Sequence, residues 1–305
     1  MIQEAIFRVA TRLFLPDLAR QMREEGTFHL RTEDPVASLE EADFMYTEDN
    51  GADVTIVTFT GPDILYMGHS RHHLMGVIKR AARRFGGANL IFLRDPQRVG
   101  FMLRPDGGQD GFDFYADILR ETLDRLGASY NVAIGASWGG SIAHIMAPRC
   151  GMDQVITFSP FFNTDSYIGV TKAARALFNI PQLFREPRGY VETLTVTVAA
   201  GWCLKMVKDK VEQELPDIVD FYRDLETPPA ITIYYGEHSP PDASQAQLMK
   251  DISGVKLAPL PTGRHNTPGY LYAQRRLGKV IADEIFAARD PAGAARQVEK
   301  EGQSA

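Results

Sequence analysis

Residues 130–147, YNVAIGASWGGSIAHIMA, constrain the fold more than any other part of this chain. They join a short apolar strand to an apolar helix through Gly135-Ala136-Ser137-Trp138-Gly139. A serine in a Gly-x-Ser-x-Gly pattern between a strand and a helix is typical of a nucleophile elbow. Such a turn is too tight for side chains two positions from the serine, which explains Gly135 and Gly139. We therefore predict Ser137 as a nucleophile at a helix N-terminus, where developing negative charge is favoured; the alternative is a serine that only caps the helix.

Strand and helix patterns alternate on both sides of this turn. Apolar and β-branched runs predict strands at 27–31, 43–47, 53–60, 89–93, 130–135, 154–158, 230–235 and 255–260. Helical spacing of apolar residues predicts helices near 70–85, 112–126, 138–148, 243–251 and 270–288. This alternation indicates parallel strands with helices on both faces. The chain is thus predicted to be an α/β protein with a mostly parallel, eight-stranded sheet.

The alternation has one long interruption, which bears on domain organisation. The length of 305 residues is compatible with two domains or with one enlarged α/β domain. Residues 160–228 are mostly helical in pattern, with one strand-like stretch at 191–199. We interpret 160–228 as a helical lid insertion in a single core formed by 27–159 and 229–289. Residues 1–26 are predicted to be an amphipathic helix and residues 290–305 a flexible tail.

Composition argues against several classes of protein. The 33 Lys and Arg residues face 39 Asp and Glu residues, and the net charge of −6 argues against a nucleic-acid partner. Cys150 and Cys203 are too few for a disulfide framework, which favours a cytoplasmic location. No apolar run reaches the roughly 20 residues that span a bilayer, so no integral membrane segment is expected. The sequence leaves the oligomeric state open.

An attacking serine needs a base, and the base needs a carboxylate that orients it. On a sheet of this kind the three follow in the order serine, acid, histidine. His265 stands in the polar loop after the last predicted strand, and we predict it as the general base. The acid should follow the strand at 230–235, where both Glu237 and Asp242 stand. We favour Asp242, because two prolines stiffen the loop that projects it, and keep Glu237 as the alternative.

The negative charge of a tetrahedral intermediate needs two backbone N–H donors. One is expected from Trp138, the residue after the serine. The other is expected from the loop that follows the strand at 53–60. Pro62 in that loop has no N–H group. Gly61 is therefore the predicted second donor, with Asp63 as the next choice.

The remaining motifs predict neither a metal nor a cofactor. His69, His72 and His73 begin a predicted helix, and a metal site there would need further ligands. The chain has no GxGxxG and no GxxxxGK[ST], so no nucleotide cofactor is expected. Arg94 and Asp95 end a predicted strand at the sheet edge where ligands bind. They are expected to line a pocket or to form a structural ion pair.

The chain resembles the α/β-hydrolase superfamily over nearly its whole length. The features that carry the resemblance are, in order, Gly61 after the third predicted strand, GASWGG at the elbow, an insertion after the sixth strand, a carboxylate after the seventh and His265 after the eighth. Within it, FLRDPQR at 92–98 and YYGEHSPPD at 234–242 resemble a bacterial group. Some members of that group take part in polysaccharide or glycoprotein assembly, and sugar O-acetyltransferases are among them. The chain lacks an HGGG segment before the elbow, which departs from the lipase-type oxyanion loop.

The resemblance implies covalent catalysis on a small-molecule acyl substrate. Ser137 would attack an acyl carbonyl, and water or an alcohol would resolve the acyl-enzyme. Hydrolysis of an ester or thioester is the leading hypothesis. O-acyl transfer, for example of acetyl to a sugar hydroxyl, is the alternative, and a non-catalytic binding protein on the same fold is the third. The insertion would cover the site with its aromatic side chains, Phe161, Phe162, Tyr167, Phe178, Phe184, Tyr190 and Trp202.

Overall fold

The structure is a computed structural model that describes residues 44–59, 61, 75–97, 99–163, 180–212 and 215–289. Three predicted segments lie outside these residues: the helix at 1–26, the strand at 27–31 and the tail at 290–305. They stay predictions.

The described strands form one sheet. They are β1 (Met45–Glu48), β2 (Val54–Phe59), β3 (Asn89–Leu93), β4 (Tyr130–Ala136), β5 (Gln154–Phe158), β6 (Ala230–Gly236) and β7 (Val255–Leu260). Their order across the sheet is β1-β3-β2-β4-β5-β6-β7. β1 is antiparallel to β3, and the other neighbouring pairs are parallel. The predicted mostly parallel α/β sheet is confirmed, and seven of the eight predicted strands fall within the described residues.

Burial on both faces explains why the central strands read as continuous apolar runs. Every position of β2, β3 and β5 is buried, as is usual for parallel strands covered by helices. Successive side chains point to opposite faces of a strand. Val57 and Val155 therefore join one core cluster, whereas their neighbours Ile56 and Ile156 join another on the opposite face.

Helices cover both of these clusters. In the described residues they are α1 (Met75–Ala82), α2 (Gly111–Leu126), α3 (Trp138–Arg149), α4 (Ile180–Arg185), α5 (Pro187–Lys210), α6 (Ile218–Arg223), α7 (Pro240–Leu248), α8 (Thr267–Ala273) and α9 (Leu277–Arg289). α2, α3, α6 and α7 contribute buried side chains to the Val57 cluster. α1, α8 and α9 contribute to the Ile56 cluster, which confirms helices on both faces.

Two expectations about individual elements are wrong. The strand-like stretch at 191–199 lies inside α5. Its β-branched residues disfavour a helix only weakly, and Pro187 at the first turn suits a helix start. The helix predicted at 270–288 is two helices, α8 and α9. They are separated where Arg275 has a φ of 58°, a left-handed conformation that an α-helix cannot continue.

The described part of 160–228 consists mainly of α4, α5 and α6. α6 packs against the helix that follows the elbow, where the Tyr222 hydroxyl donates to the backbone carbonyl of His144 at 3.0 Å. α4 and α5 contact the loop that joins β7 to α8. No helix in the described part of the chain is both long and apolar enough to cross a membrane.

Candidate active site

Ser137 stands at the turn between β4 and α3 in a strained backbone conformation. Its φ is 54° and its ψ is −126°, a region that side-chain-bearing residues rarely adopt. Its N–H group donates to the carbonyl of Phe158 at 2.8 Å, which ties the turn to the end of the neighbouring strand. The turn therefore has the strained strand-to-helix geometry expected of a nucleophile elbow.

Gly135 permits this turn by letting two backbone segments touch. A β carbon added to Gly135 would lie 2.2 Å from the carbonyl oxygen of Gly139 and 2.4 Å from its carbonyl carbon. Contacts this short do not occur between real atoms of these types, so any side chain at this position would force the strand and the helix apart. The first glycine of the motif is thus explained by direct contact with the backbone of the second.

The structure brings Ser137, His265 and Asp242 together in one hydrogen-bonded chain. The His265 Nε2 atom lies 2.9 Å from the Ser137 Oγ, and its Nδ1 atom lies 2.8 Å from Oδ1 of Asp242. Asp242 is 1% exposed and His265 is 8% exposed. With Nδ1–H donating to the carboxylate, Nε2 carries the lone pair that faces the hydroxyl. This arrangement can accept a proton from Ser137.

Its surroundings raise the pKa of His265 above the ordinary value. Burial disfavours the charged imidazolium and is the largest single influence. The charge of Asp242 and its hydrogen bond act in the opposite direction, together with the charge of Glu192, and outweigh it. The imidazolium that forms when His265 takes a proton is therefore stabilised by negative charge.

Of the two candidate acids, only Asp242 is hydrogen-bonded to His265. Asp242 lies in the first turn of α7, which begins at Pro240 rather than at 243 as predicted. Glu237 comes directly after β6, and its carboxylate lies 3.7 Å from the imidazole of His238, with both side chains about 40% exposed. Pro240 suits the first position of a helix. This early helix start brings Asp242 back toward the sheet edge.

Both predicted oxyanion donors lie beside the serine. Trp138 is the first residue of α3, where a backbone N–H has no partner within the helix. A β carbon on Gly61 would lie 3.7 Å from the Gly139 nitrogen and 3.7 Å from the Trp138 β carbon. The backbone of Gly61 therefore packs against the elbow. Asp63, the second choice, lies outside the described residues.

Arg94 and Asp95 do not form the expected ion pair. Asp95 is buried, and its carboxylate accepts backbone N–H groups of Gln97, Val99 and Phe101 at 2.9, 2.5 and 3.0 Å. Burial raises the pKa of Asp95, and these donors oppose the rise. The carboxylate organises the loop after β3.

That loop reaches the elbow from the side. A β carbon on Gly100, which has a φ of 74°, would lie 2.2 Å from Nε1 of the Trp138 indole. Close packing of this kind fixes the indole of the residue next to Ser137. Asp95 thus supports the elbow indirectly, through the loop it holds.

The aromatic residues expected over the site have different surroundings. The Phe161 ring stacks on His265, with centroids 5.3 Å apart and planes 12° apart. Phe162 is buried edge-on against His144. Tyr190 is half-buried and Phe184 is 82% exposed. Tyr167, Phe178 and the side chain of Trp202 lie outside the described residues.

Sequence reasoning missed two buried charged residues beside the histidine. Glu192 in α5 and Arg264 form an ion pair with side-chain exposures of 1% and 6%. A single charge within the apolar run VETLTVTVAA was the available signal, because buried charges in proteins are paired. Its partner lies 72 positions away and could not be identified from spacing.

Metal binding receives no support from the described residues. They contain no group of three or more His, Cys, Asp and Glu side chains that could hold a metal ion. His69, His72 and His73 lie outside the described residues.

Comparison with known proteins finds similarity at the level of structure. No family model matches the chain, and no curated protein matches it. MenH from S. aureus aligns with a TM-score of 0.51 at 12% identity, over 81% of this chain and 99% of that chain. A proline iminopeptidase from Mycobacterium smegmatis gives 0.49 at 15% identity, over 82% and 97%. An esterase from Exiguobacterium antarcticum gives 0.46 at 14% identity, over 79% and 95%.

At such low identity, similarity to MenH concerns the fold alone. Its alignment extends over nearly the whole of that chain and most of this one. This chain has a mostly parallel sheet with the antiparallel β1 at its edge and a strained elbow after β4. The chain therefore has the fold of the α/β-hydrolases.

Proposed function

We propose that the protein is a serine hydrolase that cleaves an ester or thioester through an acyl-enzyme intermediate. The observation that carries the proposal is the hydrogen-bonded chain from Ser137 Oγ through His265 to Asp242, with distances of 2.9 and 2.8 Å. A serine hydroxyl is a weak nucleophile until a base removes its proton. The buried imidazole in this chain is in position to do so.

The proposed reaction begins at the serine. His265 Nε2 takes the Ser137 hydroxyl proton while Oγ forms a bond to the acyl carbonyl carbon, and the carbonyl becomes an oxyanion. Asp242 stabilises the imidazolium, and the backbone N–H groups of Trp138 and Gly61 donate to the oxyanion. The tetrahedral intermediate then expels the alcohol or thiol, which receives the proton from His265. An acyl ester on Ser137 remains.

Water completes the cycle in a hydrolase. His265 takes a proton from a water molecule while the water oxygen attacks the acyl carbon and forms a second tetrahedral intermediate. Collapse of this intermediate releases the acid, and His265 returns the proton to the Ser137 oxygen. An alcohol in place of water would make the same site an O-acyltransferase. Neither reaction requires a metal or a cofactor, and the proposed substrate is a small acyl compound.

The proposal extends to the insertion and to the location of the enzyme. We assign residues 160–228 as a lid on the core formed by 27–159 and 229–289. The support for this assignment is the position of Phe161 on the His265 ring and the contacts of α4 and α5 with the histidine loop. Two cysteines, of which Cys150 is a buried free thiol, support a reducing compartment, the cytoplasm.

Labelling with a fluorophosphonate probe tests the catalytic role of Ser137. The expected result is a covalent adduct that mass spectrometry maps to Ser137, with no adduct in the Ser137→Ala variant. Asp242→Asn should slow the labelling strongly, whereas Glu237→Gln should label at the wild-type rate. Absence of labelling in the wild type would favour the non-catalytic binding protein.

The acceptor distinguishes hydrolase from transferase. An activated acetyl ester is incubated with the enzyme, with and without sugars that offer free hydroxyl groups. A hydrolase releases one acetate for each leaving-group molecule, whether or not the sugar is present. Acetylated sugar with little free acetate would refute the hydrolase proposal in favour of the acyltransferase.

A further inference from the structure

The loop that carries His265 is bound by the insertion through buried polar groups. At its start, the Glu186 carboxylate accepts the Thr262 hydroxyl at 2.7 Å and the Gly263 N–H group. The Gln182 amide and the Thr193 hydroxyl donate to the Gly263 carbonyl at 3.0 and 3.3 Å. Side chains of α4 and α5, and of the residue between them, therefore hold the backbone just before the histidine.

Glu192 binds the loop on both sides of the histidine. Its Oε1 atom accepts Nε and Nη2 of Arg264 at 2.9 and 2.6 Å. Its Oε2 atom accepts the backbone N–H of Asn266 at 3.2 Å. One carboxylate from α5 thus holds the residue before His265 and the residue after it. A rotation of the loop about His265 would break at least one of these three hydrogen bonds.

Stability alone gives no reason for a charged pair in this position. Removing two charges from water is unfavourable, and well-packed apolar residues can replace a buried ion pair without loss of stability. Burial raises the pKa of Glu192, whereas the pairing with Arg264 and the Asn266 N–H favour the ionised carboxylate. The hydrogen bonds of this carboxylate, two from Arg264 to Oε1 and one from Asn266 to Oε2, do supply directional restraint, which apolar packing does not.

We propose that Glu192 is a positioning residue of the active site, which through Arg264 and Asn266 holds the His265 ring in line with Ser137. The proposal rests on the proposed function for its kinetic consequences. It also means that the insertion completes the site, since the core without α5 lacks this restraint. Misplacement of a reacting group by about 1 Å can lower a rate by about 100-fold.

The charge of Glu192 has a second effect, on the protonation of His265. The imidazole contacts Asp242 from α7, the Ser137 hydroxyl at the start of α3 and the uncharged Phe161 ring after β5. The charge of Glu192 from α5 also acts on it, and Glu192 is paired with the guanidinium of Arg264, the residue before the histidine. Glu192 helps to raise the pKa of His265. Its neutralisation should lower that pKa. Because the base works only when neutral, the acid limb of the kcat/KM profile should then move to lower pH.

The primary test compares Glu192→Gln with Glu186→Gln. Both substitutions neutralise a carboxylate of the insertion that binds the histidine loop, but only Glu192 contacts the residues adjacent to His265. We expect Glu192→Gln to lower kcat by about 10- to 100-fold with little change in KM, and to shift the acid limb to lower pH. Glu186→Gln should leave the acid limb in place. Glu192→Asp, which retains the charge, should keep the wild-type limb.

A double variant separates positioning from stability. Glu192→Gln leaves Arg264 buried without a charged partner, and the variant could fail to fold for that reason. The combination of Glu192→Gln with Arg264→Met removes both charges and should keep the wild-type midpoint of urea unfolding. It should nevertheless show the loss of kcat. Wild-type kcat in a folded double variant would overturn the proposal. It would also be overturned if Glu186→Gln lowered kcat as much as Glu192→Gln does and neither variant shifted the acid limb.

The protonation of His265 can be measured without turnover. In a Ser137→Ala background, an NMR titration of the histidine side chains gives the His265 pKa with and without Glu192→Gln. A lower pKa in the variant supports the role of Glu192 even if Ser137 proves not to react with fluorophosphonate. An unchanged pKa together with unchanged loop signals would contradict it, whatever the catalytic activity of the wild type.

Discussion

The strained backbone at Ser137 predicts that the proposed nucleophile reduces the stability of the protein. Its φ of 54° and ψ of −126° lie where glycine is accommodated and other residues are not. Such strain is worth about 1–3 kcal/mol, whereas glycine loses about 0.5–1 kcal/mol more conformational entropy than alanine on folding. Ser137→Gly should therefore be more stable than Ser137→Ala by about 1 kcal/mol.

Urea unfolding followed by circular dichroism measures this difference. Ser141 provides the matched control, because it lies in α3 one turn later with a helical backbone. Its hydroxyl accepts the Phe161 N–H group at 3.0 Å, and both substitutions remove that contact equally. At Ser141 the order should reverse, with the glycine variant less stable than the alanine variant by about 1 kcal/mol.

The comparison isolates the backbone from the side chain. Alanine and glycine both remove the hydroxyl at position 137, so the difference between them reports the preference of the backbone and the contacts of one methyl group. If Ser137→Ala proved as stable as Ser137→Gly or more so, while Ser141 behaved as expected, the turn would not be strained. The explanation of the elbow by strain would then be refuted.

Three further predictions concern the acid, the base and a buried histidine. Asp242→Asn should lower kcat by about 10³–10⁴-fold, as loss of an orienting carboxylate does, and Glu237→Gln should not; the opposite ranking in a steady-state assay would reverse the assignment. Because the pKa of His265 is raised, the pH–rate profile of the wild type should fall with decreasing pH through a pKa above the usual 6.5 of histidine; a limb below that value would contradict it. Burial lowers the pKa of His144 to about 3. Between about pH 6.5 and 3 the unfolded chain therefore binds a proton that the native chain does not, and the free energy of unfolding decreases as the pH is lowered. From pH 7.5 to 5 the wild type should lose about 2 kcal/mol of unfolding free energy more than His144→Gln; equal losses in urea titrations would show that the native His144 is protonated.

The parts of the site that depend on local sequence could be predicted. The elbow is a contiguous strand, turn and helix, so Ser137 and its glycines follow from the chain itself. His265 could be proposed because it stands in the loop after the last strand of a parallel sheet. In both cases the position of the residue depends on where one strand ends, and the predicted strand ends at 135 and 260 lie within one residue of the ends of β4 and β7.

Positions that depend on contacts between distant segments could not be predicted. The choice between Asp242 and Glu237 depends on α7 beginning at Pro240, a boundary that differs by three residues from the predicted one. An ion pair between Asp95 and Arg94 was one expectation from the sequence, but the Asp95 carboxylate accepts three backbone N–H groups of its own loop. Loop geometry decides such contacts, and the sequence pattern does not encode it.

Sheet register explains how Ser137 and His265, which are 128 positions apart, come within hydrogen-bond distance. β4, β5, β6 and β7 are consecutive parallel neighbours, with Ala136 paired to Phe158, Phe158 to Tyr234 and Gly236 to Leu260. Parallel pairing places the carboxyl ends of these strands along one edge, so the segments that follow them meet there.

The same reasoning limits how the insertion can vary. The sheet edge brings the histidine loop near Ser137, but the direction of its ring depends on a loop, and loops are the more mobile parts of a fold. In this chain Glu192 of α5 holds that loop through Arg264 and the backbone of Asn266. Under the proposed assignment of 160–228 as a lid, replacing that lid by one that accepts another acyl group would also remove the restraint. Changes of specificity should therefore succeed where they leave Glu192 and its contact with Arg264 in place, and a chimera that replaces the whole of 160–228 should lose kcat even for a substrate that its new lid binds well.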